Sequence, residues 1–239
     1  MEKVIFVLRG TPGDEAWCTR LRTDVAQALL HTGAPGLAIN VRDTVVSESL
    51  MTLTTLNPPV TAFVTLWTHQ CYGEQVRTAE TLLRDVCDHV AAYLVTESVP
   101  LAPPHTAPGE RTPGFANVAL LRRPAEMDET TWLARWQHDH TQVAIDTQST
   151  FGYIQNAVVR ALTEDSPAIS AIVEELFPIE ATSDLHAFFG AADDADLSDR
   201  MTQMVASTSA FGANRDVDTV PTSRYVLRAA FAPAATLQP

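Results

Sequence analysis

The sequence predicts an α+β protein built from two consecutive βαββαβ units whose open sheet faces pack against each other within one chain. Three observations predict it. The same order of strand-periodic and helix-periodic segments occurs on both sides of a proline-rich stretch, residues 97–114. The two sides superpose at an offset of 114, which places Arg9 on Arg123, Asp14-Glu15 on Asp128-Glu129, and residues 37–42 on 151–156 without a gap. Finally, a four-stranded βαββαβ sheet carries its helices on one face only, so its other face needs a cover that a second unit can supply.

In the first unit, Val4–Leu8 reads as a buried strand. A helix follows from about Asp14, with Trp17, Leu21, Val25, Ala28 and Leu29 on one face. Gly33 lies where a helix stop is expected. Leu37, Ile39 and Val41 alternate with Ala38, Asn40 and Arg42 as a strand. Residues 44–59 read as irregular and end in Pro58-Pro59, and Val60–Trp67 is a strand. A helix from about Glu74 carries Val76, Ala79, Leu83, Val86 and Val90, and Tyr93–Val95 closes the unit as a strand.

The stretch 97–114 holds Pro100, Pro103, Pro104, Pro108 and Pro113, five of the 15 prolines. Proline fixes φ and removes a backbone donor, so this stretch is expected to exclude helix and central strand. The units are accordingly set at 1–98 and 115–239, with 99–114 as connector.

In the second unit, Asn117–Leu121 is a strand, and Asp128 can cap a helix that reaches about Gln148. Tyr153–Val159 and Ile169–Val173 are strands, the latter extending toward Phe177. A short helical turn is expected near Asp184–Phe189. A longer helix places Leu197, Met201, Met204 and Val205 on one face and ends at Gly212, and Arg224–Arg228 is the last strand.

With 46% hydrophobic and 19% charged residues, the 239-residue chain can bury a core. Its longest apolar runs are a few residues, far from the roughly 20 of a membrane helix. The net charge is −13 and there is no basic stretch, which argues against nucleic acid as a partner. Cys18, Cys71 and Cys87 are odd in number and form no CxxC pair. With no three-part signal segment, they suit a reducing, cytoplasmic setting. The nucleotide, nicotinamide and α/β-hydrolase signatures are missing.

Chemistry concentrates in Arg122–Val143. Leu133, Trp136, His140 and Val143 follow helical spacing, so His140 sits on the apolar stripe, where an imidazole can act as acid or base or be a structural group. His138 lies roughly 200° around the axis from His140, so the two cannot share a metal ion. The aspartates at 193, 194, 196 and 199 lack the spacing of a calcium loop and suit a helix start. Within Glu174-Glu175, one carboxylate must point at an apolar surface, either paired with Arg or held in a cavity with a raised pKa.

These residues carry a resemblance. Arg123-Pro124, Met127, Asp128, Trp132, Trp136 and His140 follow the pattern of the EthD family, a branch of the dimeric α+β barrel (ferredoxin-like) proteins. Tyr153-Ile154-Gln155-Asn156 and Glu175-Leu176-Phe177 match two further signatures, and the likeness covers about residues 115–228. The first unit has Arg22 and Ala26 where the second has Trp136 and His140, so one site per chain is expected. The resemblance implies tandem ferredoxin-like repeats closed as an intramolecular dimeric α+β barrel, with a cavity for a small hydrophobic or aromatic molecule. His140 would move protons with Glu175 assisting, while Trp136, Tyr153, Asn156 and Arg123 would bind substrate. The implied activity is proton transfer without cofactor or metal, as in a cyclase, dehydratase or decarboxylase. The alternative is a non-catalytic binding or accessory protein of an oxidative degradation pathway. Exposed strand edges in this fold commonly support dimers, so a homodimer is allowed for.

Overall fold

The computed structural model describes residues 1–11 and 13–231. Eight strands, all paired antiparallel, close into one barrel in the order β1-β3-β2-β8-β5-β7-β6-β4. They are β1 Glu2–Arg9, β2 Gly36–Val41, β3 Val60–Thr68, β4 His89–Leu101, β5 Phe115–Leu121, β6 Gly152–Ala161, β7 Ala171–Phe177 and β8 Asp218–Arg228. The first four form one sheet and the last four the other. The β2–β8 and β4–β6 ladders seam the two together. The fold is the expected intramolecular α+β barrel. Closure also uses up the strand edges through which a homodimer was allowed for, because each strand pairs with two neighbours.

Alternation sorts the side chains. One set points inward, where Ile5, Val7, Phe63 and Tyr93 from the first unit meet Val118, Leu120, Ile172 and Val220 from the second. One end of the barrel carries two ion pairs formed by buried cations, Lys3 with Glu97 and Arg224 with Glu174. The Lys3 ammonium also lies 4.9 Å from the centre of the Trp67 ring.

The outward-facing set meets the helices. In the first unit α1 spans residues 15–31, π-helical over Leu21–Val25, and α2 is Glu74–Arg84. In the second, α3 spans 129–147, π-helical over Ala134–His140, followed by α4 Leu185–Phe189 and α5 Asp194–Ala210. Asp14 and Asp128 cap α1 and α3 by accepting from Trp17 N at 2.8 Å and Thr131 N at 2.9 Å. The π segment of α1 falls on residues 135–139 at the offset of 114, inside that of α3. No described helix is long and apolar enough to cross a membrane.

Four expectations change. Strand β4 does not stop at Val95: it runs to Leu101 and carries the start of the proline-rich stretch along β6, with a register irregularity between Ser98 and Leu101 that accommodates Pro100. Helix α2 ends at Arg84 and not at Val90, because β4 must begin at His89 to pair with Arg9 of β1. On α3 the buried face is Trp132, Trp136, His140 and Ala144, while Leu133 and Val143 are only half-buried. The wider i→i+5 turn keeps residues four apart in line, where an α-helix would let them drift. On α5, Met204 packs inward and Leu197 against the α4 phenylalanines, but Met201 and Val205 face solvent.

Candidate active site

The second-unit residues do not meet inside the barrel, whose middle is filled by apolar side chains. They meet outside it, in a cavity of about 290 Å³ between the β5–β7–β6 sheet and the helices above. Strand register builds the floor. Asn117, Glu175 and Tyr153 lie side by side across β5, β7 and β6 and give one polar row. Beyond them Ala119 and Val173 continue the floor with small side chains that leave room.

Helix α3 supplies Trp136 and His140, and α5 supplies Met204 and Thr208. Phe188, Phe211 and Gln148 close the sides. Buried aromatic contacts set the roof: Trp132 and Trp136 lie 5.2 Å apart, and the Trp132 indole donates to Phe211 O at 3.1 Å. The floor ties to the roof through Gln155, whose amide donates to Thr141 Oγ1 at 2.7 Å.

One wall comes from the other unit. Leu50, Met51 and Leu53, in the segment read as irregular, line the cavity. The segment is strapped down at two points. Leu53 pairs with Thr219 of β8, and the buried Asp218 carboxylate accepts from Thr55 N at 2.6 Å, Leu56 N at 3.1 Å and Thr55 Oγ1 at 2.8 Å. Arg122 donates to the same carboxylate at 2.7 Å. Burial alone would raise the Asp218 pKa, but these donors outweigh it and hold the group below its ordinary value.

The structure brings four of the six sequence-derived residues to this cavity: His140, Glu175, Trp136 and Tyr153. Asn156 is not among them. It lies three positions from Tyr153, hence on the opposite face of β6, where it donates to Ile172 O at 2.9 Å. Arg123 is also elsewhere: exposed after β5, it donates from its backbone to Ser170 Oγ at 3.0 Å and from its guanidinium to Met127 O. Its part is to shape the entry to α3. The residues that sequence reading missed are Asn117, Gln148, Phe188, Phe211, Thr208 and the 50–53 wall. Only strand register offered a signal for Asn117, which lies opposite Glu175.

Electrostatics follow from burial. Glu175 is 9% exposed, and desolvation pushes its pKa up to about 8. With its amide nitrogen turned toward Glu175, Gln148 donates to Oε1 at 3.2 Å. His140 is 7% exposed and burial pushes its pKa down to about 4. Its Nδ1 lies 2.8 Å from Ser207 Oγ, and its ring lies 4.8 Å from that of Phe211. Tyr153 rises well above its ordinary value through burial first and the Glu175 charge second. At neutral pH the cavity therefore holds a protonated carboxyl, a neutral imidazole and a neutral phenol. No Arg or Lys lines it among the described residues.

At the corresponding place in the first unit, Arg22 replaces Trp136. Its guanidinium contacts Glu15 at 2.7 Å, Asp43 at 3.7 Å and the Tyr225 hydroxyl at 3.4 Å, filling that space with a polar network.

No protein-family model matches the chain, and no curated protein matches it. Among solved structures, an anthrone oxidase-like protein superposes with a TM-score of 0.54 at 7% identity, over 98% of this chain and 96% of that one. A mutant chlorite dismutase from Candidatus Nitrospira defluvii superposes with a TM-score of 0.49 at 11% identity, over 95% of this chain and 92% of that one. The likeness to the first is one of fold across nearly the whole of both molecules. The chain is a dimeric α+β barrel folded within a single polypeptide.

Proposed function

We propose that the protein catalyses cofactor-independent proton transfer on a small, uncharged, hydrophobic or aromatic molecule held between the second sheet and its helices. This is the reading that the EthD-like motifs also favour. The observation that carries it is the placement of Glu175 and His140 in one cavity, where burial leaves the carboxyl protonated and the imidazole free of its second proton at neutral pH. Two groups whose pKa values are driven apart form an acid and a base.

The step common to aldol-type cyclisation and to dehydration of a hydroxy-ketone is enolisation. With Nδ1–H donating to Ser207, His140 Nε2 takes a proton from the carbon next to a carbonyl, and the C–H electron pair becomes the enol double bond. Glu175 gives its proton to the carbonyl oxygen. An imidazolium and a carboxylate remain, each stabilising the other in a site of low dielectric, and the reverse transfer resets both. A buried imidazole is a weak base until Glu175 ionises, so the two transfers are coupled. Trp136 and Phe211 wall the ring system.

A cavity of about 150 Å³ takes up benzene, so this one has room for a fused two-ring ketone. The test is deuterium uptake at C2 of 1-tetralone in D2O, followed by NMR, with anthrone as a second probe suggested by the neighbour's name. The wild type should accelerate exchange, and Glu175→Gln and His140→Ala should each slow it about 100-fold or more. Binding without accelerated exchange would replace this reading with the non-catalytic carrier, and accelerated exchange at the same rate in both variants would remove Glu175 and His140 from the chemistry. The chain's self-association is separately measurable by gel filtration, and a homodimer would have to use a surface other than a strand edge.

A further inference from the structure

The mouth of the cavity is no polar route to water. Its exposed lining residues, Leu50 at 61% and Leu53 at 53%, are both leucines. Other lining groups with exchangeable protons are committed elsewhere. The Thr208 hydroxyl donates to Met204 O at 2.9 Å and the Thr219 hydroxyl to Met51 O. Tyr153 is buried at the floor, and the Gln148 amide can bond but does not pass a proton on. His140 differs. It lines the cavity, whereas Ser207, whose Oγ lies 2.8 Å from His140 Nδ1, does not. Ser207 is half-buried on α5 beside the exposed Ala206. Hydroxyl side chains within a helix commonly bond back to the carbonyl four residues earlier. Thr202 and Thr208 of α5 do so, to Ser198 O at 2.8 Å and Met204 O at 2.9 Å. The Ser207 hydroxyl turns to the imidazole instead, its only partner among the described residues.

We infer that Ser207 is the proton outlet of the site, carrying protons between the buried ring of His140 and the water outside α5. The proton taken from carbon enters at Nε2, the Nδ1 proton passes to Ser207 Oγ, and the hydroxyl's own proton passes to water. Ring and hydroxyl each gain one proton and lose one. The reverse order brings a proton from water back to the carbon, while Glu175 recovers its own. Burial favours the outward step, because it disfavours an imidazolium and makes the doubly protonated ring a ready donor. Ser207 acts through His140 and does not touch the ligand. The inference rests on the proposed function for the proton it carries, but the route itself is present in the ligand-free protein.

Two measurements on the intact protein test it. The first needs no ligand: exchange of the His140 Nδ1–H with water, followed by nitrogen-resolved NMR, with His140→Ala assigning the signal. Threonine and valine share a shape and differ in the hydroxyl, so Ser207→Thr should exchange near the wild-type rate and Ser207→Val at least about tenfold more slowly. The second is deuterium uptake by 1-tetralone in D2O, which should fall about tenfold in Ser207→Val and be kept in Ser207→Thr. Nδ1–H exchange as fast in Ser207→Val as in the wild type would overturn the inference. So would slow exchange in both variants, since side-chain shape and not the hydroxyl would then govern it. Hydroxyl-dependent Nδ1–H exchange in a protein that does not accelerate uptake would leave the outlet standing and remove the catalytic reading. Accelerated uptake that Ser207→Val leaves unchanged would do the reverse.

Discussion

Burial acts on Glu175 and His140 with opposite sign, and the stability of the protein records both. Glu175 has a folded pKa of about 8 against an ordinary 4.5. Between those values the native state holds a proton that the unfolded chain has released, so stability falls as pH rises. His140 has a folded pKa of about 4 against an ordinary 6.5, so between those values the unfolded chain holds the extra proton and stability falls as pH drops. The two oppose each other below pH 6.5. From 6.5 to 8 Glu175 acts without that opposition, with a slope of about 1.4 kcal/mol per pH unit. Urea unfolding at both ends of this window should show the wild type losing about 2 kcal/mol more than Glu175→Gln. Parallel pH dependence would mean that Glu175 is ionised in the folded protein, and the acid role assigned to it would go.

At the scale of elements, the segment between β2 and β3 converts a one-unit site into a two-unit one. Asp218 holds it with three donors from Thr55 and Leu56, and Arg122 completes the set. Asp218→Asn removes the charge and leaves Arg122 without its buried counter-ion, at a cost of about 2 kcal/mol or more. Limited proteolysis should then cut within residues 44–56 markedly faster than in the wild type. Unchanged cleavage would show that the Leu53–Thr219 bridge suffices. Elements of this kind mark where the sequence stops being readable. Strand β2 is legible from its alternation and β1 and β3 from short apolar, β-branched-rich runs, which are local properties. The end of β4 is not, because Pro100 is tolerated only through an irregularity that pairing with β6 creates. Helix α3 is legible in extent, but its buried face is not, because the π segment re-phases it. Trp136 and His140 are visible through their spacing and the family pattern. Asn117 and Phe211 reach the cavity through strand register and a chain turn, and neither leaves a local mark. Asn156 is the instructive error: the period of two along β6 sets it on the face opposite Tyr153.

The whole molecule is held by a core that neither unit owns. Ile5, Val7, Phe63 and Tyr93 lose water only because Val118, Leu120, Ile172 and Val220 cover them, and the reverse holds equally. Each unit alone would expose one apolar sheet face and two strand edges, β2 and β4 in the first unit and β6 and β8 in the second. The two units should therefore unfold together, although each has its own helix layer. The four tryptophans make this measurable, since Trp17 and Trp67 report on the first unit and Trp132 and Trp136 on the second. In a Trp132→Phe/Trp136→Phe chain, urea denaturation followed by fluorescence tracks the first unit. In a Trp17→Phe/Trp67→Phe chain it tracks the second. Within each variant the fluorescence midpoint should coincide with that from far-ultraviolet circular dichroism, and the m-value should correspond to the surface of the entire chain. Should one unit melt before the circular dichroism signal is lost, the shared interior would not be the dominant stabilising element. The Leu50–Leu53 wall would then open independently of the sheet on which the proposed chemistry depends.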